Sequence, residues 1–417
     1  MILTCSNFRD NVRIPLPSSK SISNRVLIIN SLSGNNQLPE NVSDCDDTNV
    51  MVHWLSSRPD TIDIGAAGTA MRFSTALLAV SEGEHVITGS ARMKKRPISV
   101  LVDALRDIGA SIDYVDNEGF PPLRIRGSRS MTGGDVTLQG NVSSQYISAL
   151  LMIGPYLQDG LTLHLTGEII SRPYIDMTIS LMQEFGADVA WTDNRTIRVG
   201  KGAYTKQNYV VEADWSASSY WYEMLALNSE PASVFLPHLL PESLQGDSAV
   251  ADIFENLGVS TDFIVDADGH SCARLSKTDE PVDFLAYDFS SQPDLAQTVT
   301  VACCMMNIPF HFTGLSTLRI KETDRLEALK TELGKLGFDI RIKDDSELLW
   351  DGKRRILSAS DLDAISIDTY DDHRMAMAFA PCALKINTLH INNPEVVSKS
   401  YPHFWNDLQT AGFDIGD

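Results

Sequence analysis

The sequence predicts an α/β protein built from six similar units, and three observations carry that prediction. Amphipathic helices that stop at a glycine recur at intervals of 72 to 79 residues, with the stops at Gly109, Gly186, Gly258, Gly337 and Gly412. Each such helix runs into a strand of period-two alternation, as in Ser111-Ile112-Asp113-Tyr114. A second set of helices alternates with the first; these are apolar on more of their surface and are expected to be the more buried.

In chain order, "SISNRVLIINSL" is the first buried helix. "DDTNVMVHWLSSRPDTIDIG" follows as a weak first unit, with a helix and one strand but no hairpin. "GTAMRFSTALLAV" is then paired with "LVDALRDIGASIDYVDNEGFPPLRIRG", and "SSQYISALLMIG" with "TISLMQEFGADVAWTDNRTIRVG". The later pairs are "SASSYWYEMLAL" with "VADIFENLGVSTDFIVDADGHSCARLS", and "PDLAQTVTVACCMM" with "LEALKTELGKLGFDIRIKDDSELLWDG". The last is "DDHRMAMAFAPCAL" with "FWNDLQTAGFDIGD". Glycine ends these helices because it takes the left-handed conformation after the last turn at no side-chain cost. In the first four full units, turns rich in Asp, Asn or Gly lead to a further strand. A single core for all 417 residues exceeds usual domain size, so three units per domain is the simplest grouping.

Composition excludes several functions. With 34 Lys and Arg against 55 Asp and Glu, the formal charge is −21, and no broad basic face for nucleic acid is expected. No apolar run of about 18 residues predicts a membrane span, and no leader pattern opens the chain. The six cysteines lack a CxxC; Cys303 and Cys304 lie in an apolar helical run, and all six read as reduced cytosolic thiols. No HExxH or paired His/Cys cluster indicates a metal, and "GAAGTA" is neither a dinucleotide fingerprint nor a phosphate loop.

The positive charges sit in a pattern. The buried helices open with small polar or glycine-rich turns, "PSSKSISNR", "GAAGTAMR" and "GNVSSQY", which leave backbone N–H groups free to bind an anion. Lys20, Arg25, Arg72 and Arg374 lie at such starts, and Lys321 and Arg325 flank the start in "KETDR". The helix dipole disfavours a cation there, so a set of them in an acidic chain points to a bound anion. The plainer reading of "KETDR" is a capped helix: Asp324 as the cap, Leu326, Leu329, Leu333 and Leu336 as the buried stripe. That accounts for Asp324 and the leucines but not for Lys321, Glu322 and Arg325. "ARMKKRPI" reads as a solvated basic turn in its Lys94 and Lys95, and His373 as an ordinary helix-start histidine when taken alone.

"PSSKSISNR", "GAAGTAMRF", "RMKKRPI", "SSQYISALLM", "SRPYIDMT", "LRIKETDRL" and "DDHRMAMAF" together resemble, in order and spacing, the 5-enolpyruvylshikimate-3-phosphate synthase family. The resemblance implies two domains of three βαβαββ units each, an inverse α/β barrel, with the active site in the interdomain cleft. Residues 19–211 would form the N-terminal domain, and 1–18 with 212–417 the C-terminal one. The implied reaction transfers the enolpyruvyl group of phosphoenolpyruvate to the 5-hydroxyl of shikimate 3-phosphate and releases phosphate, without metal or cofactor. The implied shikimate 3-phosphate residues are Ser21, Arg25, Ser143, Ser144, Gln145, Ser171, Tyr174, Asp294, Thr317 and Lys321. Lys20, Gly68, Arg92, Gln145, Arg325, Arg374 and Lys399 are implied to hold phosphoenolpyruvate. By the same resemblance Asp294 takes the hydroxyl proton, Glu322 protonates the methylene carbon, and Lys20 and His373 lie at the reaction. A cytoplasmic monomer is implied.

The chemistry needs these residue types. A hydroxyl attacks a weakly electrophilic carbon while its neighbour is protonated, so one carboxylate acts as base and one carboxyl as acid. The two substrates bring about −5 to −6 of charge, which seven cations (Lys20, Arg25, Arg92, Lys321, Arg325, Arg374 and Lys399) would meet. Mutual repulsion of these cations is expected to hold the cleft open until the anions close it. Three positions depart from the family pattern: Ala66 and Thr317 stand where Asn is usual, and Trp215 where a small residue is usual. Two other readings make different predictions. The related transferase acting on a UDP-N-acetylglucosamine acceptor uses a catalytic-cysteine loop that "SARMKKRPI" lacks. A non-catalytic scaffold on the same fold has no need of Asp294, Glu322 and Lys20, all of which are present.

Overall fold

The computed structural model describes residues 1–35, 37–266, 269–278, 280–358 and 365–416. The tip of one expected hairpin, residues 267 and 268, lies outside them. The chain divides into two compact units: Ser18–Val211, and Met1–Pro17 together with Glu212–Asp417.

Ser18–Val211 contains two four-stranded sheets of identical plan among the described residues. In the first, Thr61–Asp63 pairs in parallel with Gly83–Thr88, which pairs antiparallel with Leu123–Gly127, which pairs antiparallel with Ser111–Tyr114. In the second, Gly134–Gln139, Leu161–Thr166, Thr196–Val199 and Val189–Trp191 repeat that order. A parallel pair needs a crossover connection, and the helices Gly68–Val80 and Ser144–Ile153 supply the two crossovers. The weak first unit keeps a single parallel bridge, Glu40 to Val210. The strand expected to close that unit, Thr61–Asp63, instead opens the next sheet. Only Arg58–Asp60 separate it from the helix Asp46–Ser57, which leaves no chain for a hairpin.

Among the described residues the other unit holds three sheets of the same plan, two of them completed from the N-terminus. Val12–Arg13 is the parallel partner of Ser233–Pro237. Ile2–Thr4 lies between Leu389–Ile391 and Asp414–Gly416, antiparallel to both, and so fills the place of the strand that the last unit lacks in sequence. The remaining sheet runs Leu285–Asp288, Phe310–Thr313, Glu347–Trp350, Arg341–Lys343.

The second set of helices is buried as expected. Only Thr69 of Gly68–Val80, Gln145 of Ser144–Ile153 and Ser216 of Trp215–Leu227 escape full burial. His373–Phe379 is buried throughout. Within Ser18–Val211, the helices Lys20–Ser33, Gly68–Val80 and Ser144–Ile153 pack on one another; in the other unit, Ala296–Met306 packs on both Trp215–Leu227 and His373–Phe379. These three sit in first turns, where a polar side chain has somewhere other than the core to go; Lys20–Ser33 and Ala296–Met306 also surface in their last turns, at Ser31, Leu32, Ser33 and Met306. All five stop glycines have φ between +78° and +104°. At Gly337 a Cβ would also lie 2.6 Å from the Arg355 carbonyl oxygen, so both conformation and space require glycine. Among the described residues no helix is long and apolar enough to cross a membrane.

Candidate active site

The "KETDR" segment resolves into two parts. Asp324 caps the helix Arg325–Lys335, its Oδ1 accepting from the N–H groups of Leu326 and Glu327 at 3.2 and 3.3 Å. Leu326, Leu329, Leu333 and Leu336 are fully buried, as the apolar stripe predicts. The residues the cap did not explain point into a network of charges. Arg325, with 2% side-chain exposure, donates from Nε to Asp372 Oδ2 at 2.7 Å, from Nη2 to Glu322 Oε2 at 3.0 Å, and from Nη1 to Asp294 Oδ1 at 3.1 Å. Burial acts to lower the pKa of this guanidinium, but the carboxylates of Asp372, Glu322 and Asp294 outweigh it and hold the group firmly charged.

The network extends through Asp294, at the turn Pro293–Leu295 before the helix Ala296–Met306. Its Oδ1 also receives Lys321 Nζ at 3.4 Å, and its Oδ2 receives Arg374 Nη2 at 2.9 Å. Lys399, at the end of the turn Pro394–Lys399, donates to Glu322 Oε1 at 2.9 Å. Four cations thus interlock with three carboxylates, Asp294, Glu322 and Asp372. His373 is buried, with Nδ1 3.7 Å from Asp372 Oδ1. Thr317 lies in the turn Ser316–Ile320, just before Lys321.

Sequence reading missed two members of this cluster. Asp372, fully buried, caps the helix His373–Phe379 by accepting from the Arg374 N–H at 2.9 Å, while also gripping Arg325. Its place next to His373-Arg374 was the available signal. Asp247 has no sequence signal at all. Buried and accepting from the Ser216 hydroxyl, it is raised to about 6, first by burial and then by the charge of Asp294.

In Ser18–Val211 the expected residues gather at helix starts. Ser19 caps the helix Lys20–Ser33, and Lys20 Nζ lies 3.7 Å from Asp47 Oδ2. Arg25, one turn on, is fully buried and binds Thr178 Oγ1 (2.7 Å), the Ser21 carbonyl (2.9 Å), Ser148 Oγ (3.2 Å) and the Tyr174 carbonyl (3.2 Å). Burial lowers its pKa to about 10. These bonds tie Ser21, Arg25 and Tyr174 together. Ser143 caps Ser144–Ile153, and Ser171, with φ +58°, occupies the corresponding place before Arg172–Glu184. Gln145 Nε2 donates to Thr69 Oγ1 at 2.9 Å, which places it beside the Gly68 helix start.

Arg92 is exposed just before the turn Met93–Lys95. At the start of Gly68–Val80, a Cβ on Gly68 would lie 2.7 Å from Arg96 Nη1 and 2.8 Å from Arg72 Nη1. Two guanidinium groups therefore lie close to the N-terminus of Gly68–Val80. Ala66 lies exposed two residues before.

The family model for EPSP synthase (3-phosphoshikimate 1-carboxyvinyltransferase) matches residues 54–408. The chain belongs to the EPSP synthase family. It is 54% identical over 402 residues to a 3-phosphoshikimate 1-carboxyvinyltransferase of Bacteroides fragilis, covering 96% of this chain and 95% of the relative. A protein of the same name from Vibrio cholerae is 34% identical over 421 residues, with 94% and 95% covered. The solved EPSP synthase structure from Acinetobacter baumannii shares the fold at a TM-score of 0.75 and 20% identity, covering 100% of this chain and 99% of that one.

Proposed function

We propose that the charged networks of both units act on one pair of substrates, phosphoenolpyruvate and shikimate 3-phosphate, as two three-unit domains of one enzyme. As a member of this family the chain is an enolpyruvyl transferase of the shikimate pathway. It moves the enolpyruvyl group of phosphoenolpyruvate to shikimate 3-phosphate and releases phosphate. The observation that carries the assignment of residues is Asp294, whose two oxygens are held by Lys321, Arg325 and Arg374, with Glu322 on the far side of Arg325. One carboxylate as base and one carboxyl as acid, set among fixed cations, is the equipment the reaction needs.

In this reading Asp294 takes the proton of the 5-hydroxyl as that oxygen bonds to C2 of phosphoenolpyruvate. Glu322 delivers a proton to C3, giving a tetrahedral ketal that still carries the phosphate. Loss of a proton from the new methyl group re-forms the double bond as the C–O bond to phosphate breaks. Arg325, Arg374, Lys399 and Lys20 neutralise the phosphoenolpyruvate charge. Arg92 joins them, with backbone from Gly68, beside which Arg96 and Arg72 lie. Ser21, Arg25, Ser143, Ser144, Ser171, Tyr174 and Lys321 hold shikimate 3-phosphate, with Gln145 reaching both substrates and Thr317 and His373 alongside. We further propose that the enzyme is a cytoplasmic monomer. Phosphate release from phosphoenolpyruvate, assayed with and without shikimate 3-phosphate, tests the reading: release that depends on the acceptor is expected, and release indifferent to it refutes the assignment.

A further inference from the structure

Arg325 and Glu332 lie seven residues apart on one helix, two turns on the same face, separated by about 10.5 Å along the axis. Both grip the segment that leads to Arg374. Arg325 holds Asp372, as described above. Glu332, fully buried, accepts the Tyr370 hydroxyl at Oε1 (2.5 Å) and the Asp368 N–H at Oε2 (3.1 Å). Lys335 reinforces the second contact, pairing with Glu332 at 2.6 Å and with Asp368 at 2.9 Å.

The segment between the two grips is unusual. Tyr370 and Asp371 have φ of +54° and +56°, and the Asp372 N–H donates to the Thr369 carbonyl at 2.8 Å. Two successive positive φ values inside such a turn normally call for Asn and Gly. A tyrosine at the first of them persists only where its surroundings fix it. The turn ends on Asp372, which caps the helix bearing Arg374, so any change in the turn moves both groups.

We propose that the Glu332–Tyr370 bond is a positioning strut for the phosphoenolpyruvate site. It holds a strained turn in the one conformation that aims Asp372 at Arg325 and sets Arg374 beside Asp294. The proposal rests on the reading that Arg374 contacts phosphoenolpyruvate. Neither Glu332 nor Tyr370 touches substrate; each acts through Asp372 and Arg374.

Steady-state kinetics on the full chain test it with three variants. Tyr370→Phe removes the bond and keeps the ring; KM for phosphoenolpyruvate is expected to rise about tenfold, as for loss of one hydrogen bond to a charged group. KM for shikimate 3-phosphate should stay within about twofold. Tyr370→Asn also lacks the bond, but asparagine tolerates positive φ, so it should recover most of the phosphoenolpyruvate KM. An unchanged phosphoenolpyruvate KM in Tyr370→Phe, an equal rise in both KM values, or Tyr370→Asn as impaired as Tyr370→Phe each overturns the strut. Arg374→Gln separates the two levels. If it leaves the phosphoenolpyruvate KM unchanged, the underlying reading fails; if it raises that KM while Tyr370→Phe does not, only the strut fails.

Discussion

Glu223 sits in the middle of the helix Trp215–Leu227 with no exposure, and neither carboxyl oxygen has a hydrogen-bond partner among the described residues. Burial alone raises its pKa well above 4.5. Replacing it with methionine keeps the helix propensity and roughly the volume, and removes a buried unsatisfied polar group costing about 1–3 kcal/mol. The effect should grow with pH. The unfolded chain releases this proton near 4.5 while the folded chain retains it, so above 4.5 folding takes up a proton. Stability is therefore lost as pH rises from 4.5 toward the folded value. For each pH unit over which the folded group stays protonated, wild type should lose about 1.4 kcal/mol relative to Glu223→Met. Calorimetry at several pH values between 5 and 8 reads this as a melting temperature higher in the variant, by roughly 2–4 °C per kcal/mol. Parallel pH–stability curves for the two proteins, or a less stable variant, would refute the reasoning.

The remaining predictions concern the charged networks. Asp372→Ala removes one of the three carboxylates that hold the buried Arg325 guanidinium, together with the cap of His373–Phe379, and should destabilise its unit by about 1–3 kcal/mol in urea unfolding; Asp372→Asn, which still accepts one bond, should cost less. Arg92→Met should raise the phosphoenolpyruvate KM at least tenfold, as for loss of one charge-assisted bond, while the shikimate 3-phosphate KM stays near wild type. Asp294→Asn should lower kcat by about 10²–10⁴ while the fold survives, as circular dichroism would show.

Much of the fold was legible because it rests on local rules repeated many times. The stop glycines, the leucine stripe from Leu326 to Leu336 and the apolar second helices depend on propensity and period alone. What escaped depends on distant partners. Nothing in "MILT" says that Ile2–Thr4 belongs between two strands nearly 400 residues away, and nothing in "DTIDIG" says which sheet it enters. The site divides along the same line. Cations at helix starts were conspicuous in an acidic chain, but Asp372, which grips Arg325, and the buried Asp247 and Glu332 look like any other acidic residue. Arg92 and Arg96 are equivalent on paper; only the folded turn shows that Arg96 lies beside Gly68.

The pairing of Arg325 and Lys399 with Glu322 bears on how the site takes its ligand. Glu322 offers each of its oxygens to one of the cations that are proposed to hold phosphoenolpyruvate. The carboxylate therefore competes with the substrate's own anionic groups for Arg325 and Lys399. It must give up these partners before either oxygen can carry a proton to the substrate. Binding and acid catalysis then oppose each other through one residue. Glu322→Gln keeps the shape, removes the competing charge and removes the acid. The expected result is a split: kcat falls by about 10² or more, while phosphoenolpyruvate, titrated calorimetrically in the presence of shikimate 3-phosphate, binds about three- to tenfold more tightly, a gain on the order of one charge-assisted bond. Weaker binding in step with the loss of turnover would mean that Glu322 holds the substrate rather than contends with it.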